Sequence, residues 1–156
     1  MEANDYKSLL LAVDFEKESE PVVARARRLR DLLGARLYLL HVVEHIPTTM
    51  EYMPVGYAGD VAAPDSLELE QELLDIARRE LDALGDALGV PVSDRLVRTG
   101  PTGRLIDEAA RELAVDLVVI GSHGRHGFMG LFGSTARTVL RNLTCDVLCV
   151  KIEGED

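Results

Sequence analysis

Short apolar runs alternate along this sequence with longer segments of helical periodicity, and this alternation constrains the fold more than any other feature. Four apolar runs, at residues 8–13, 35–43, 116–120 and 146–152, and an alternating run at residues 92–98 predict five strands. Between them, apolar residues recur at helical spacing over residues 19–33, 65–88, 101–113 and about 134–142. Strands that alternate with helices are typical of a parallel sheet covered on both faces. The pattern predicts a single α/β domain over residues 1–156, of the doubly wound, Rossmann-like class.

Local signals predict where several elements begin and end. Ser19 is a candidate N-cap of the first helix, with Pro21 just inside it and Gly34 just past its end. The proline- and glycine-containing residues 47–64 predict a loop, and Asp65 with Ser66 predicts the start of the long second helix. Residues 92–98 alternate in polarity and indicate an edge strand with one face in water.

The charge balance excludes several classes of function. The net charge is −10, so most of the surface repels nucleic acid and anionic lipid. The apolar runs are far shorter than the ~20 residues that span a bilayer. Met1–Asp5 is acidic and lacks the apolar core of a secretory signal, so we expect a protein that is not secreted and that binds neither nucleic acid nor membrane.

The two cysteines are too far apart to pair with each other. Cys145 and Cys149 on one strand would have Cα atoms roughly 13 Å apart. A disulfide needs less than ~7 Å. We interpret both as small apolar core residues, and no Cys/His spacing typical of a metal site is present.

In sheets of this class, ligands bind beyond the carboxyl ends of strands, where the strand order reverses. This rule directs attention to Asp14 after the first strand, to Val42–Glu44 after the second, and to Gly121 after the fourth. His41, near the end of the second strand, is interpreted as a near-core imidazole with a satisfied hydrogen bond.

Residues 121–135 form a glycine-rich loop with five glycines spaced three apart. Backbone amides of such a loop, followed by a helix N-terminus, can hold a phosphate. Residues 117–145 support this interpretation, because they contain three arginines and no acidic residue. The alternative is a flexible turn with incidental arginines. Neither a P-loop nor a GxGxxG fingerprint is present.

Several motifs together resemble the universal stress protein family over nearly the whole chain. They are the run ending in Asp14, the Leu-Leu-His-Val-Val run of the second strand, residues 116–124, Gly133-Ser134-Thr135, and residues 145–150. The resemblance implies a five-stranded sheet in the order 3-2-1-4-5, a homodimer and a cytoplasmic role in stress. Nucleotide-binding members carry the pattern Gly-x2-Gly-x9-Gly-Ser/Thr. Here Gly121 and Gly124 match, and eight residues separate Gly124 from Gly133.

The resemblance also implies which residues would contact a nucleotide. The adenosine pocket would be lined by Ala12, Val13, Asp14 and Val42. Asp14 could accept hydrogen bonds from ribose hydroxyls, or it could cap the following segment. The phosphates would be held by residues of the glycine-rich loop, namely Gly121, Ser122, His123, Gly124, Arg125, Gly133, Ser134 and Thr135. His123 could instead serve only to fix the loop.

These observations favour a homodimeric protein that binds ATP or another adenine nucleotide, with or without Mg²⁺. The alternatives are a nucleotide-free protein-interaction module of the same fold, which would have a protein partner, and a slow ATPase. No Walker-type lysine or general base supports fast turnover, so we predict no catalytic residue and no protein-bound metal. The strand order that the resemblance implies places the last strand outermost. Residues 146–152 then predict the dimer interface, because Lys151 is the only charge after Asp146 in an otherwise apolar edge strand.

The long second helix carries a concentration of negative charge. Eight acidic residues lie between Asp65 and Asp86, against Arg78 and Arg79. We interpret this as a solvated face, with an acidic surface for a partner as the alternative.

Overall fold

The computed structural model describes residues 6–44, 63–122, 137, 139 and 141–152. Its five strands are all parallel and follow the order 3-2-1-4-5, which confirms the predicted fold class. The strands are β1 (Ser8–Val13), β2 (Arg36–Val43), β3 (Arg95–Thr99), β4 (Leu117–Gly121) and β5 (Asp146–Val150).

Helices cover both faces of the sheet. They are α1 (Glu20–Leu33), α2 (Ala63–Leu88) and α3 (Thr102–Glu112), and residues 137, 139, 141 and 142 are also helical. The buried residues of α1 and α2 pack in one core cluster, and those of α3 pack with Val139 in a second cluster on the other face. Because both faces are covered, the central strand β1 is apolar on both sides: Leu9 and Leu11 point into the first cluster and Leu10 into the second. Among the described residues, no helix is long and apolar enough to cross a membrane.

The C-terminal end of α1 follows the prediction, and its start differs in detail. Gly34 has φ 64°, and its N–H donates to the Arg30 carbonyl, so a glycine suits the left-handed end of the helix. Ser19 occupies the N-cap position with Pro21 in the first turn. Its side chain makes no capping hydrogen bond, while its N–H donates to the Glu16 carbonyl in a short 3₁₀ turn, Lys17–Ser19.

Three predicted boundaries are wrong. Helix α2 begins at Ala63, before the expected cap at Asp65, and the rest of the predicted loop lies outside the described residues. Val92–Asp94 forms a 3₁₀ turn rather than a strand, because the Asp94 N–H donates to the Pro91 carbonyl. Strand β5 ends at Val150 rather than at residue 152.

Three arginine–aspartate contacts hold β3 and its preceding turn. Asp94 is only 2% exposed, and its two carboxylate oxygens accept hydrogen bonds from Arg36 at 2.7 and 2.9 Å. Arg95 is 8% exposed and donates to the carboxylates of Asp82 and Asp86 in α2, at 3.2 and 2.8 Å. The predicted wet face of β3 is therefore wrong at Arg95, since that side chain lies beneath the C-terminal part of α2.

At the amino edge of the sheet, Asp116 joins β1 to β4. Its Oδ2 accepts hydrogen bonds from the backbone N–H groups of Lys7 at 2.7 Å and Ser8 at 2.9 Å. The Asp116 N–H in turn donates to the Ser8 carbonyl. Asp116, the first residue of the 116–124 motif, thus holds the starts of β1 and β4 together at the edge opposite the carboxyl ends.

The cysteines have different surroundings from those predicted. Cys145 is half-buried beside the second core cluster, whereas Cys149 is exposed. The prediction that both cysteines are core residues is therefore wrong for Cys149, which lies on the edge strand β5. Burial raises the pKa of both thiols above the usual value.

Candidate functional site

A cavity of about 820 Å³ opens at the carboxyl edge of the sheet and extends along α1 and α2 as far as Asp31 and Leu88. The cavity opens where β1 leads into α1. Strand β4 lies next to β1 in the sheet, and both strands contribute side chains to the core on both faces. Its lining includes Ile106 and Val139 from one face and Val22 from the other. This is the position at which doubly wound sheets bind ligands.

Five of the predicted site residues line this one cavity. Ala12, Val13 and Asp14 come from the end of β1, Val42 from the end of β2, and Gly121 from the end of β4. Parallel strands end at the same edge of a sheet, so residues up to 109 positions apart meet there. The other predicted positions in the glycine-rich loop, apart from Ser122, lie outside the described residues: His123, Gly124, Arg125, Gly133, Ser134 and Thr135.

Asp14 is held in place by the turn that follows β1. Its Oδ1 accepts a hydrogen bond from the Glu16 N–H at 2.9 Å. Between them, Phe15 has φ 63°, a left-handed conformation that is uncommon for residues other than glycine. The carboxylate therefore caps the turn with one oxygen. No described group forms a hydrogen bond with its other oxygen, Oδ2, so capping leaves Asp14 able to accept a further bond at the cavity.

His41 supports the end of β1 from the neighbouring strand. Its Nδ1–H donates to the Val13 carbonyl at 2.7 Å, and its ring centroid lies 4.4 Å from that of Phe15. The imidazole is half-buried and has a satisfied hydrogen bond, as predicted. His41 thus contacts the residues on both sides of Asp14, through the backbone of Val13 and the ring of Phe15.

Gly121 lies where a side chain would collide with its neighbours. A Cβ at this position would come within 2.5 Å of Ile152 Cδ1 and 3.1 Å of Val22 Cγ2. The end of β4 therefore approaches both neighbours through bare backbone. Gly121 also lines the cavity, so a ligand there meets backbone rather than a side chain.

Ser122 takes a different place from the residues around it. It is buried and does not line the cavity. Its N–H donates to the Val150 carbonyl at 2.8 Å, and its Oγ accepts from the Ile152 N–H at 2.8 Å. These contacts extend the pairing of β4 with β5 past the strand ends, so the side chain of Ser122 stabilises the sheet edge.

The sequence reasoning missed Thr102 and three cations that also line the cavity. Thr102, at the start of α3, donates through Oγ1 to the Glu44 carboxylate at 2.9 Å and so joins the ends of β2 and β3. Lys17, Arg27 and Arg28 come from the α1 side. From the sequence, Arg27 and Arg28 could be assigned only to the polar side of the first helix. Their spacing does not indicate which other element that side faces.

The polar lining is of mixed charge rather than uniformly basic. Asp14, Glu16, Glu20 and Asp31 accompany the three cations. Asp31 is engaged by Arg30, 3.0 Å away, outside this lining. Within the described ranges, no group of three or more His, Cys, Asp or Glu residues could hold a metal ion. The arrangement therefore suits a ligand, or a part of a ligand, that carries little net charge and has hydroxyl groups. Such a hydroxyl can donate a hydrogen bond to Asp14 Oδ2.

Comparisons with known proteins agree with this architecture. The family model for the universal stress protein family matches residues 5–151. Universal stress protein A homolog 2 of Coxiella burnetii is 38% identical over 97% of this chain and 99% of its own length. Universal stress protein A homolog 1 of the same organism is 36% identical over 93% of this chain and 96% of its own length.

Solved structures show the same fold at lower sequence identity. A universal stress protein in complex with cAMP is 22% identical, with a TM-score of 0.59 and coverage of 95% of this chain and 98% of that one. The universal stress protein from Archaeoglobus fulgidus in complex with dAMP is 22% identical, with a TM-score of 0.54 and coverage of 94% and 98%. At this identity the likeness concerns the fold alone.

Proposed function

This chain belongs to the universal stress protein family, and we propose that it binds an adenine nucleotide in the cavity at the carboxyl edge of its sheet. The observation that carries the proposal is the meeting of Ala12, Val13, Asp14, Val42 and Gly121 around that cavity. Two proteins of similar fold are complexes with cAMP and dAMP, which supports an adenine nucleotide as the class of ligand. ATP is the member of that class that we expect.

Each part of the nucleotide has a matching part of the site. The apolar side chains of Ala12, Val13 and Val42 suit a purine base, and the free oxygen of Asp14 suits a ribose hydroxyl. We assign the phosphates to the loop that begins at Gly121, because residues 117–145 carry a charge of +3 in an otherwise acidic chain. That assignment includes His123, Gly124, Arg125, Gly133, Ser134 and Thr135, and it leaves out the side chain of Ser122, which is bonded to Ile152.

We propose that the nucleotide acts as a bound signal rather than as a substrate that turns over. Asp14 is the carboxylate we assign to the ribose, and its other oxygen is already engaged with the Glu16 N–H. Phosphate release from ATP, followed over an hour with and without Mg²⁺, measures this. A kcat near the ~1 s⁻¹ lower end of ordinary enzymes would overturn it and favour an ATPase.

We further propose that the protein works as a cytoplasmic homodimer, paired through residues 146–152. Strand β5 is an outer strand of the sheet, and Val147 and Leu148 are only half-buried in the single chain. Antiparallel pairing with a second copy would close this edge. The cytoplasmic location rests on the family resemblance.

The second candidate function is a nucleotide-free interaction module. The observation that favours it is the spacing of eight residues, rather than nine, between Gly124 and Gly133. Calorimetric titration with ATP, ADP and AMP, each with and without Mg²⁺, separates the two functions. Binding of at least one nucleotide supports the first, and an absorbance ratio at 260 and 280 nm raised by co-purified nucleotide would agree with it. No heat of binding with any of the three would favour the module.

A further inference from the structure

Helix α2 is too long for the sheet it covers. Its 26 residues span about 39 Å, and its described side chains are buried only from Ala77 onwards. A right-handed connection between parallel strands makes α2 run antiparallel to them, so its N-terminal half lies at the carboxyl end of the sheet. No side chain from Leu67 to Ile76 is buried in the core.

This N-terminal half exposes large apolar side chains. Leu67 is 66% exposed, Leu69 is 49% exposed and Ile76 is 42% exposed, whereas Leu73 is half-buried. Leu69, Leu73 and Ile76 are spaced four and three residues apart, so they share one side of the helix. We call these three residues the α2 stripe. A stripe at this spacing is what an amphipathic helix docks against.

The charge around the α2 stripe selects the kind of partner. Residues 67–76 contain four acidic residues and no cation. Glu68, Glu70, Glu72 and Asp75 are all exposed, and none of their carboxylates forms an ion pair with a described residue. Two copies of this segment would repel each other, whereas a basic segment would neutralise the four charges.

The α2 stripe is separate from both the cavity and the proposed dimer edge. No residue from 67 to 76 lines the cavity. Helix α2 packs on β2 and β3, and β5 is at the opposite edge of the sheet. A partner on the stripe can therefore be tested independently of nucleotide binding and of pairing through β5.

We propose that the α2 stripe is a docking surface for a basic amphipathic helix of another protein. The partner's apolar residues would cover Leu69, Leu73 and Ile76, and its lysines or arginines would lie against the flanking carboxylates. Burial of the exposed side chains supplies the affinity, while the four acidic residues select for positive charge.

The test uses a fluorescent synthetic peptide of about 18 residues, with leucines at helical spacing and lysine at the other positions. We expect the full chain to bind it, with an affinity that falls at least about tenfold in the Leu69→Gln/Ile76→Gln variant. This variant keeps all the charges. The matched control is Val92→Gln, an exposed apolar residue outside the stripe, which should bind the peptide as the unmodified chain does.

Three outcomes would overturn the proposal. The first is equal affinity of the unmodified chain and the Leu69→Gln/Ile76→Gln variant, because binding would then depend on charge alone. The second is a lysine peptide that binds no more tightly than a peptide with glutamate in place of lysine, whether both bind equally or neither binds. The third is a lower mass by light scattering for the double variant than for the unmodified protein. That result would show that the stripe binds a second copy of this chain. Equal thermal midpoints of the variants confirm that they fold.

Discussion

The guanidinium of Arg95 lies in the space that a side chain at Gly85 would occupy. A Cβ at Gly85 would come within 2.5 Å of Arg95 Cζ. The same guanidinium donates to the Val90 carbonyl through Nη2 at 2.7 Å, to Asp86 and to Asp82. A buried cation on β3 is thus held by acceptors at the C-terminal end of α2, and the missing side chain at Gly85 makes room for it.

Gly85→Ala should destabilise the protein, although alanine is the better helix former. The new methyl group would displace Arg95 from its acceptors, at a cost of about 1–3 kcal/mol in the free energy of unfolding. The matched control repeats the change in an Arg95→Ala background. There the space is empty, and Gly85→Ala should stabilise by about 0.5–1 kcal/mol. Urea unfolding measures both, and the same sign of the effect in the two backgrounds would contradict this account.

Stability should depend on the ionised form of Asp94. The hydrogen bonds from Arg36 lower the pKa of the Asp94 carboxyl below its usual range. As the pH falls, the Asp94 carboxyl therefore takes up a proton in the unfolded chain before it does so in the folded protein. The stability that the ionised carboxylate contributes is full above about pH 4 and is lost as the pH drops through the pKa of the folded protein.

The measurement is the difference in unfolding free energy between the unmodified chain and Asp94→Asn, from pH 7 to about pH 2. We expect the difference to be largest at neutral pH and to shrink in acid. Asp75→Asn, at an exposed residue with no ion pair to a described group, is the control. A difference for Asp94→Asn that stays constant down to the lowest pH would refute the role of the charge.

Asp14→Asn should weaken nucleotide binding and leave the fold intact. Asparagine keeps an oxygen that can accept from the Glu16 N–H, so the turn after β1 is preserved. The charge offered to a ribose hydroxyl is lost, which should lower the affinity for the nucleotide at least about tenfold by calorimetry. Unchanged affinity would remove Asp14 from the site. Asp75→Asn, at a residue that does not line the cavity, should bind as the unmodified chain does.

Dimerisation should depend on the backbone of Cys149. The Val150 carbonyl accepts from the Ser122 N–H, so the backbone groups of Val150 face β4. Because backbone groups alternate along a strand, those of Cys149 face outwards. Cys149→Pro should abolish pairing, whereas Cys149→Ser retains the N–H and should preserve it. Light scattering decides this. A mass near 17.1 kDa for the unmodified chain, or a dimer of Cys149→Pro, would exclude this interface.

The sequence pattern predicted the parallel sheet and the cavity edge, because periodicity and strand ends are local signals, whereas the strand order was implied by the family resemblance. It did not predict the burial of Arg95 or of Asp94. Each depends on a partner distant in sequence: Arg95 on the space at Gly85, and Asp94 on Arg36, 58 residues away. Alternation alone assigns both residues to a strand with a wet face, and only the packed structure supplies their acceptors and donors.

The candidate site was predictable to a similar depth. Strand-end reasoning brought Asp14, Val42 and Gly121 to one edge, and the cavity lies there. The same reasoning could not tell that Ser122 is bonded to Ile152, since the next residue after a glycine can turn either way. Thr102 was within reach, because it follows the end of β3, and its bond to Glu44 shows how that outer strand contributes to the cavity.

The Asp116 carboxylate that holds Lys7 and Ser8 has a consequence for how the cavity comes into being. Strand β1 pairs with β2, which follows it closely, and with β4, which is made more than a hundred residues later. Contacts of such separation close late during folding, since a long loop must first be ordered. A chain that has emerged from a ribosome only as far as β3 has the residues that would contact a base and a ribose. It lacks the part of the cavity lining that β4 provides. Under the proposed function, a nucleotide would therefore bind only once β4 has joined the sheet and brought Gly121 to the cavity.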